Sequence, residues 1–459
     1  MIRSVGKQML LTFAGVATVG LLTGSLSSHA RKRTGARRNR RRNRPPCHIV
    51  VVGAGFGGLA AAARLAGKPG VDLTVIDVRN HHLFQPLLYQ VATAALSPDD
   101  IASPVRGILP ASPDLHILMA RVTGVDTQAR LVLCDGQTIP YDQLIIATGS
   151  RPSYFGHADW AGLAPSLKTL DDALGIRHQI LEVFERASVA NAADRERLLT
   201  FVLIGGGPTG VEMAGSIAEL AGDVLKRDFD LPDTRARIVL VEAEPRILSA
   251  FPPDLSSYAV AALRQLGVEI ITGTKVTAIA PGEVHLGDKP IAAASVIWTA
   301  GTEATPVAGW LGVEPAHSGR VAVGSDLRVQ GYADIAVIGD AALAVGRDGK
   351  PLPGLASVAK QQGQFVADAI LRRLWGRPAS GAFRYRDYGS LATIGRNKAV
   401  AEFGALHMTG FLAWATWAVA HIFFLIGFRN RVLVSAQWAF AYFTHERGDR
   451  LILGRKGPP

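Results

Sequence analysis

The sequence predicts an α/β protein with two Rossmann-like dinucleotide-binding domains and a C-terminal helical region that associates with a membrane. Two glycine-rich loops each follow an apolar, β-branched run and open an alanine-rich stretch, which is the strand, turn and helix order of such a unit. An acidic residue ends the next strand after each loop. A long apolar segment with several tryptophans lies near the C-terminus. Two units in one chain indicate a resident flavin and a visiting nicotinamide nucleotide.

The first glycine loop, residues 53–58, has the sequence GAGFGG. Its first glycine permits a tight turn, its second lets the backbone approach a pyrophosphate, and its last allows the helix to pack closely on the strand. Asp77 ends the next strand, where a carboxylate accepts hydrogen bonds from ribose hydroxyls. We expect this unit to bind FAD tightly and without a covalent bond, through Gly53, Gly55, Phe56, Gly57, Gly58 and Asp77.

The second glycine loop, residues 205–210, has the sequence GGGPTG, and Glu242 ends the strand that follows it. A carboxylate at that strand end favours a free 2′-hydroxyl and repels a 2′-phosphate, so we expect NADH rather than NADPH. Arg246 is a counter-argument, because a cation nearby would attract that phosphate. The expected NADH contacts in this unit are Gly205, Gly207, Gly210 and Glu242.

Three further apolar strands end in small or acidic residues. Residues 144–149 and 296–301 end in Ala-Thr-Gly and Thr-Ala-Gly, and we interpret them as crossing points between the two nucleotide domains. Residues 335–340 end in Gly-Asp, which predicts a carboxylate and a helix N-terminus beside the ribityl phosphate of a flavin. These strand ends add the expected cofactor contacts Thr148, Gly149, Ala300, Gly301, Gly339 and Asp340.

The order of the motifs predicts the domain boundaries. Residues 1–45 contain an apolar segment and an Arg-rich tail, and residues 46–155 form the first part of the FAD domain. Residues 156–301 form the NADH domain, and residues 302–385 complete the FAD domain. Residues 386–459 form the region that docks on the membrane.

The net charge of +11 comes from the N-terminal tail. Residues 1–44 hold eleven Lys or Arg and no acid, whereas the remainder carries 38 basic and 38 acidic residues. An apolar run, Met9–Leu26, precedes nine of these cations, and such an order keeps the cations in the cytoplasm. We therefore favour an uncleaved anchor or a segment on the membrane. A signal peptide, an Arg-rich transit peptide and a start further downstream stay open. Nucleic-acid binding is not indicated, because no recognition module accompanies the cations.

The two cysteines, Cys47 and Cys134, form no CxxC motif and no disulfide framework. This usage suits a reducing compartment. It also excludes the redox disulfide of many two-nucleotide flavoenzymes, so we expect the flavin itself to be the last redox group of the protein. No metal site is predicted.

A family resemblance rests on these motifs. Their order along the chain resembles the two-dinucleotide-domain flavoprotein reductases of the pyridine nucleotide-disulfide reductase superfamily. Residues 81–93 (HHLFQPLLYQVAT) and 393–400 (TIGRNKAV), with the apolar segment that follows, resemble the type II NADH dehydrogenases. The resemblance covers about residues 47–452. It implies a single-subunit, non-proton-pumping enzyme at a membrane surface that passes electrons from NADH through FAD to a quinone.

The resemblance also implies three catalytic candidates. Glu212 matches an acid that lies near the flavin and quinone in the family, where it would relay protons, and helix-start electrostatics is an equal alternative. Gln361 matches the last residue of an Ala-Gln-x-Ala-x-Gln quinone motif, but Ser357 replaces its first Gln. Lys398 is a weaker candidate for the proton relay.

The C-terminal segment contains two apolar stretches joined by Arg-Asn-Arg. Met408–Phe428 has 21 residues without a charged side chain, His421 apart, and is long enough to cross a bilayer. Val432–Phe443 is again apolar, and two Trp-bearing segments with cations between them fit helices that lie on the membrane. A buried subdomain or a dimer interface is the alternative. We expect a homodimer, peripheral on the cytoplasmic side of the inner (cytoplasmic) membrane.

Two other function classes remain open from the residues alone. A soluble flavoprotein reductase for a ferredoxin-like acceptor has the same glycine loops but no use for Trp-rich apolar segments. A non-catalytic NADH sensor would hold a long-lived reduced flavin. A sulfide:quinone reductase would need cysteines beside the flavin, and neither cysteine is suitably placed in the sequence.

Overall fold

The structure is a computed structural model, and it describes residues 45–225, 228–229, 235–444 and 448–452. The predictions of an N-terminal anchor, signal or transit peptide fall on residues 1–44 and so lie outside the described residues. From Pro46 onward the chain forms one compact unit.

The first glycine loop belongs to a five-stranded parallel sheet. In spatial order its strands are Ile335–Val337, Gln143–Ile146, Cys47–Val52, Val71–Asp77 and Leu115–Met119. The four strands other than Leu115–Met119 are mostly buried, because helices cover one face of the sheet and the short antiparallel strands of residues 122–140 pack on the other. The edge strand Ile335–Val337 comes after the second glycine loop in the chain, so two separate parts of the sequence build this sheet.

Two helices cross closely over the first sheet. The first loop helix, Phe56–Leu65, packs on the helix Ala356–Leu374. A Cβ on Gly363 would lie only 2.1 Å from the backbone oxygen of Gly57, so the crossing requires a glycine at position 363. This contact holds the later part of the chain against the first glycine loop.

The second glycine loop belongs to a four-stranded parallel sheet. Its strands, in spatial order, are Val268–Ile271, Arg237–Val241, Thr200–Ile204 and Ser295–Trp298. Its main helices are Leu170–Val189, Pro208–Glu219 and Pro253–Gln265. We call Pro208–Glu219 the second loop helix.

The residues that directly follow the two predicted crossing segments, 144–149 and 296–301, pair with each other. Ser150–Pro152 and Thr302–Ala304 form a two-stranded antiparallel sheet. The buried indole of Trp298 donates a hydrogen bond from Nε1 to the backbone oxygen of Ser153 (2.9 Å). The chain therefore leaves and re-enters the first sheet at one place.

A three-stranded antiparallel sheet begins the C-terminal region. Its strands are Ser390–Gly395, Lys398–Phe403 and Leu406–Thr409, and the helices Gly410–Phe424 and Phe428–Thr444 follow. A Cβ on Gly215 would lie 1.7 Å from the backbone oxygen of Ile394, so the first of these strands lies directly on the second loop helix.

The last two helices expose much of their apolar surface. Ala413, Trp417 and Val434 are buried, whereas many other large side chains face outward. The exposed ones are Phe411, Leu412, Val419, Phe423, Phe424, Phe428, Val432, Phe440 and Phe443. Within the described residues, every helix is too short or too polar to cross a bilayer.

The remaining elements are short. The strands are His81–Leu83, Ala102–Pro104, Val122–Asp126, Leu131–Cys134, Gln137–Pro140, Ala278–Ala280, Glu283–Leu286, Lys289–Ala292, Val321–Ala322 and Ala342–Leu343. The helices are Leu88–Ala92, Pro98–Ile101, Val105–Ile108, Ala192–Leu198 and Val307–Leu311, with a π-helical turn at Leu220–Leu225.

Candidate active site

The first glycine loop has the geometry of a phosphate cradle. Gly53 has a φ of +100°, and a Cβ there would lie 2.4 Å from the backbone oxygen of Ala147. A Cβ on Gly58 would lie 1.7 Å from the backbone oxygen of Gly53. A Cβ on Gly55, which caps the first loop helix, would meet nothing within 4 Å. The outer glycines therefore close the turn, and the middle one leaves space for a pyrophosphate.

Asp77 is held against this loop. Its Oδ2 accepts a hydrogen bond from the backbone N–H of Ala54 (2.6 Å), and its Oδ1 accepts one from the backbone N–H of Arg79 (2.8 Å). A carboxylate oxygen accepts more than one hydrogen bond, so Asp77 retains capacity for ribose hydroxyls. The position and orientation of Asp77 fit the adenosine half of FAD.

His82 contacts two residues of the first glycine loop. The backbone oxygen of Ala54 accepts a hydrogen bond from Nδ1 of His82 (2.9 Å), and the ring of Phe56 meets the imidazole edge to face. Burial lowers the pKa of His82, so the imidazole is neutral at neutral pH. Its Nε2 is buried and has no hydrogen-bond partner in the described part of the chain.

Asp340 lies at the edge of the same sheet. Its Oδ2 accepts a hydrogen bond from the hydroxyl of Ser150 (2.7 Å), and Nζ of Lys168 lies 3.9 Å from that oxygen. The adjacent Gly339 has a φ of +70° and donates its N–H to Oε1 of the buried Gln362 (2.7 Å). This strand end therefore presents an oriented carboxylate, which fits the ribityl chain of a flavin.

A helix N-terminus lies beside this strand end, although it is not the next element in the chain. A single 3₁₀ turn, Gly339–Ala341, follows the strand, and the strand Ala342–Leu343 comes after it. The helix Ala356–Leu374 then brings its first turn against Gly339, because a Cβ on Gly339 would lie 3.4 Å from the Cβ of Ala359.

Thr148 and Gly149 lie where the chain leaves the first sheet. The hydroxyl groups of Thr148 and Thr305 are 2.5 Å apart, and Gly149 has a φ of +72°. The residue before them, Ala147, touches Gly53. These contacts join the crossing segment to the first glycine loop.

The second glycine loop repeats the geometry of the first. Gly205 has a φ of +111°, and a Cβ there would lie 2.6 Å from the backbone nitrogen of Ala300. A Cβ on Gly210 would lie 1.8 Å from the backbone oxygen of Gly205, while one on Gly207 would meet nothing within 4 Å. The turn, the close approach and the free space recur in the same order. Both loops thus fit a dinucleotide.

Glu242 corresponds to Asp77 in this second loop. Its Oε2 accepts a hydrogen bond from the backbone N–H of Gly206 (2.6 Å), and its Oε1 accepts one from the backbone N–H of Glu244 (2.8 Å). Arg246 donates instead to the backbone oxygens of Phe251 and Ser249, at 2.7 Å each. Because those carbonyls hold its guanidinium, Arg246 does not pair with Glu242.

Glu212 is the buried acid between the second loop helix and the C-terminal sheet. Its side chain is 9% exposed, and its Oε1 accepts a long hydrogen bond from the backbone N–H of Thr393 (3.4 Å). Burial raises the pKa of Glu212 to about 8, and this single hydrogen bond only partly opposes the rise. The carboxyl group is therefore protonated at neutral pH.

The other two catalytic candidates have local partners. Both polar atoms of the Gln361 side chain bond the backbone of Arg386, at 2.9 and 3.0 Å. Ser357 shares a hydrogen bond with Tyr385 (2.9 Å). Nζ of Lys398 donates to Oε1 of Gln265 (2.9 Å). In this conformation, none of these contacts joins Gln361 or Lys398 to Glu212.

The C-terminal helices reach the first glycine loop through aromatic rings. Phe84 lies 5.9 Å from Phe56 and 6.2 Å from His421, measured between ring centroids. His421 in turn packs on Trp417 (4.4 Å). Trp438 donates a hydrogen bond from Nε1 to the side-chain oxygen of Gln90 (2.8 Å). The segment 81–93 therefore connects the FAD loop to the exposed apolar helices.

The cysteines do not serve as redox groups in this geometry. Cys47 begins the first strand of the FAD sheet, and Cys134 ends the strand Leu131–Cys134. Burial raises the pKa of Cys47 to about 11 and also raises the pKa of Cys134. Both thiols stay protonated at neutral pH, and protonated thiols are poor nucleophiles.

Sequence reasoning missed several residues of the site. Gln362, Lys168 and Ser150 contact the Gly339–Asp340 turn, but none of them belongs to a motif that predicts such a role. The position of Gln362 directly after Gln361 in a helix was an available signal, because neighbouring helical residues point about 100° apart. Only one of the two glutamines can face the flavin sheet.

Two oriented dinucleotide loops in one compact unit, with no thiol beside them, define a flavoprotein oxidoreductase. Residues 47–363 match the family model for pyridine nucleotide-disulphide oxidoreductases, and residues 388–445 match the NDH2 C-terminal domain. The chain is 40% identical over 421 residues to the type II NADH:quinone oxidoreductase Ndh of Mycobacterium tuberculosis, covering 88% of this chain and 90% of that protein. It therefore belongs to the pyridine nucleotide-disulphide oxidoreductases, and among them to the type II NADH dehydrogenases.

Other comparisons agree on relatives and on the fold. NdhA of Mycobacterium tuberculosis, also a type II NADH:quinone oxidoreductase, is 39% identical over 423 residues, covering 88% of this chain and 89% of NdhA. The structure of NDH2 from Plasmodium falciparum in complex with NADH superposes with a TM-score of 0.80 at 20% identity, covering 89% of this chain and all of that one. The structure of the sulfide:quinone oxidoreductase of Aquifex aeolicus superposes with a TM-score of 0.68 at 20% identity, covering 84% of this chain and 92% of that one. At these identities the superpositions establish the shared fold.

We predict that the variant Glu242→Gln narrows the preference for NADH over NADPH. The loss of negative charge removes the repulsion of the 2′-phosphate, so the ratio of the two kcat/KM values should fall by about tenfold, or about 1.4 kcal/mol. Steady-state kinetics with both nucleotides measures this ratio. The exposed Glu314, changed to Gln, is the control and should leave the ratio unchanged. Equal use of both nucleotides by the wild type would show that Glu242 does not face the 2′ position.

Proposed function

We propose that this chain is an FAD-dependent NADH:quinone oxidoreductase that pumps no protons and delivers electrons from NADH to a membrane quinone. The observation that carries the proposal is the presence of two matched dinucleotide loops in one compact unit whose last two helices expose apolar side chains. When bound, FAD supplies the exchange between a two-electron donor and a quinone. The relatives from Mycobacterium tuberculosis are named for the same activity.

The residues of the first sheet would hold FAD. The free N–H groups of the first loop helix would bind the pyrophosphate beside Gly55, and Asp77 would accept hydrogen bonds from the adenosine ribose. Asp340, which Ser150 orients, would accept hydrogen bonds from the ribityl chain. The remaining contacts proposed for this sheet are Gly53, Phe56, Gly57, Gly58, Thr148, Gly149 and Gly339.

The residues of the second sheet would hold NADH. Glu242 accepts from the adenosine ribose, and Gly207 leaves space for the pyrophosphate. The strand Ser295–Trp298 lies on the other side of the loop, so Ala300 and Gly301 line the nicotinamide half. Gly205 and Gly210 close the turn.

Quinone reduction consumes two protons, and Glu212 is the residue best suited to supply one. Its carboxyl group keeps a proton at neutral pH in an apolar environment, and it lies between the NADH-binding domain and the C-terminal sheet. A protonated acid whose pKa is close to the working pH both donates and recovers a proton readily. We propose supporting roles for the other two candidates. Lys398 would be a second proton donor once it leaves Gln265, and Gln361 would contact the quinone once it leaves Arg386.

The C-terminal helices would dock on lipid. Their outward side chains are apolar, and Arg429 and Arg431 lie beside them where lipid headgroups carry negative charge. Nζ of Lys360 lies 5.6 Å from the ring centroid of Phe424, at the boundary between these helices and the FAD domain. We propose a peripheral homodimer on the cytoplasmic side of the inner (cytoplasmic) membrane, with residues 1–44 as an additional attachment.

The variant Glu212→Gln tests the proton supply. In stopped-flow absorbance, wild-type protein should be reduced by NADH and then reoxidised by a short-chain quinone. In the variant the reoxidation should slow by about 100-fold, as for loss of a general acid, while reduction by NADH stays near the wild-type rate. Glu212→Asp, which keeps a carboxyl group, should recover part of the rate. Equal loss in both half-reactions would assign Glu212 to NADH binding or to structure, and an unchanged reoxidation rate would remove it from the mechanism.

Membrane docking is tested on the full-length chain. Changing Leu412, Val419 and Phe440 together to Glu should reduce co-sedimentation with anionic liposomes at least about tenfold, because the apolar face loses its contact with lipid. Changing Met119 and Val189 to Glu is the matched control, since both are exposed outside these helices. Removal of residues 1–44 should leave binding largely intact. Undiminished binding of the triple variant would contradict the docking role.

A further inference from the structure

We propose that the ring of Phe155 forms the wall of the NADH crevice on its nicotinamide side, so that bound NADH covers this ring with its nicotinamide half. The inference rests on the proposed NADH site and adds a positioning residue to it. Phe155 follows the crossing strand Ser150–Pro152 and belongs to neither glycine loop.

The conformation of Phe155 is unusual for a large apolar residue. Its φ is +52°, in the left-handed region that bulky residues rarely adopt, and its side chain is 68% exposed. The positive φ strains the backbone, and the exposure of the apolar ring to water is also unfavourable. Such positions persist when surrounding contacts fix them, and they are concentrated at ligand sites.

The contacts that fix Phe155 come from both sides of the turn. The indole of Trp298 donates a hydrogen bond to the backbone oxygen of Ser153 (2.9 Å). The hydroxyl of Tyr154 donates one to the backbone oxygen of Ala164 (2.9 Å). The backbone N–H of Ser153 also donates to the oxygen of Gly301 (3.3 Å). The turn is thereby tied to the second sheet, and its exposed ring is held in one place.

The ring lies directly on Gly301. A Cβ at Gly301 would come within 2.5 Å of the Cζ atom of Phe155, so any other residue there would displace the ring. Gly301 itself is exposed and has a φ of +66°. The ring and the glycine therefore form one surface, and the free side of the ring faces outward.

The topology of the second sheet identifies what meets this surface. The strand Thr200–Ile204, which ends in the glycine loop, has Arg237–Val241 on one side and Ser295–Trp298 on the other. A dinucleotide lies across the loop at this switch point, with its adenosine ribose at the acid that follows Arg237–Val241. Its other half must then extend over the end of Ser295–Trp298, where Gly301 and Phe155 lie.

Equilibrium binding of two ligands to the FAD-loaded protein tests the inference. NAD⁺ carries the nicotinamide ring, whereas ADP-ribose lacks it and keeps the rest of the dinucleotide. By isothermal titration calorimetry, Phe155→Ala and Phe155→Gly should each raise the Kd for NAD⁺ about tenfold, or about 1.4 kcal/mol. The Kd for ADP-ribose should stay within about twofold of the wild-type value, since this ligand does not reach the ring.

The choice of variants separates the ring from the backbone. Glycine relieves the positive φ and alanine does not, so equal loss in both variants assigns the effect to the ring. Phe155→Tyr keeps the ring and should bind NAD⁺ within about twofold of the wild type, and the exposed Val189, changed to Ala, is the control. Unchanged NAD⁺ binding in Phe155→Ala, or equal weakening of both ligands, would overturn the inference. Wild-type protein that binds neither ligand would refute the proposed NADH site itself.

Discussion

The C-terminal sheet lies on the second loop helix only because residue 215 has no side chain. The backbone oxygen of Ile394 occupies the space of a Cβ on Gly215, and an interior packed to this distance leaves no room for even one methyl group. Two further hydrogen bonds join this strand and the residue after it to the second loop helix, from the backbone N–H of Thr393 to Glu212 and from that of Arg396 to Glu219. The apolar helices follow this sheet in the chain, so their position depends on the same contact.

Close packing of the sheet has a chemical consequence for Glu212. Water is excluded from its carboxyl group, and the sheet offers in exchange one long hydrogen bond from Thr393. Desolvation therefore outweighs hydrogen bonding, and the neutral acid is favoured. The same strand that joins the exposed apolar helices to the nucleotide domains thus keeps a proton in the protein interior. Reduction of a quinone to a quinol consumes two protons, and the role that we propose for Glu212 is to supply one of them.

The sequence predicted the nucleotide loops well and the surroundings of the site less well. Glycine spacing and an acid at the next strand end are local signals, so the geometry at Gly53, Gly205 and Glu242 agrees with expectation. Contacts between distant segments leave no such signal. The pairing of Gln361 with Arg386 and the packing of Gly215 on Ile394 depend on where separate elements meet in space, which periodicity and motif spacing do not encode.

The proposed proton supply depends on the protonation state of Glu212, which can be measured directly. Infrared difference spectra of wild-type protein and Glu212→Gln, recorded across pH, isolate the carbonyl band of this one carboxylic acid. We predict a protonated carboxyl at pH 7 that titrates with a midpoint of about 8, and a lower midpoint in Gly215→Ala, where the sheet is displaced. Gly175→Ala, at a helical glycine with free space around it, should leave the midpoint unchanged. A carboxylate already ionised at pH 7, with a midpoint near the ordinary value of about 4.3, would show that burial by the C-terminal sheet does not keep a proton on Glu212.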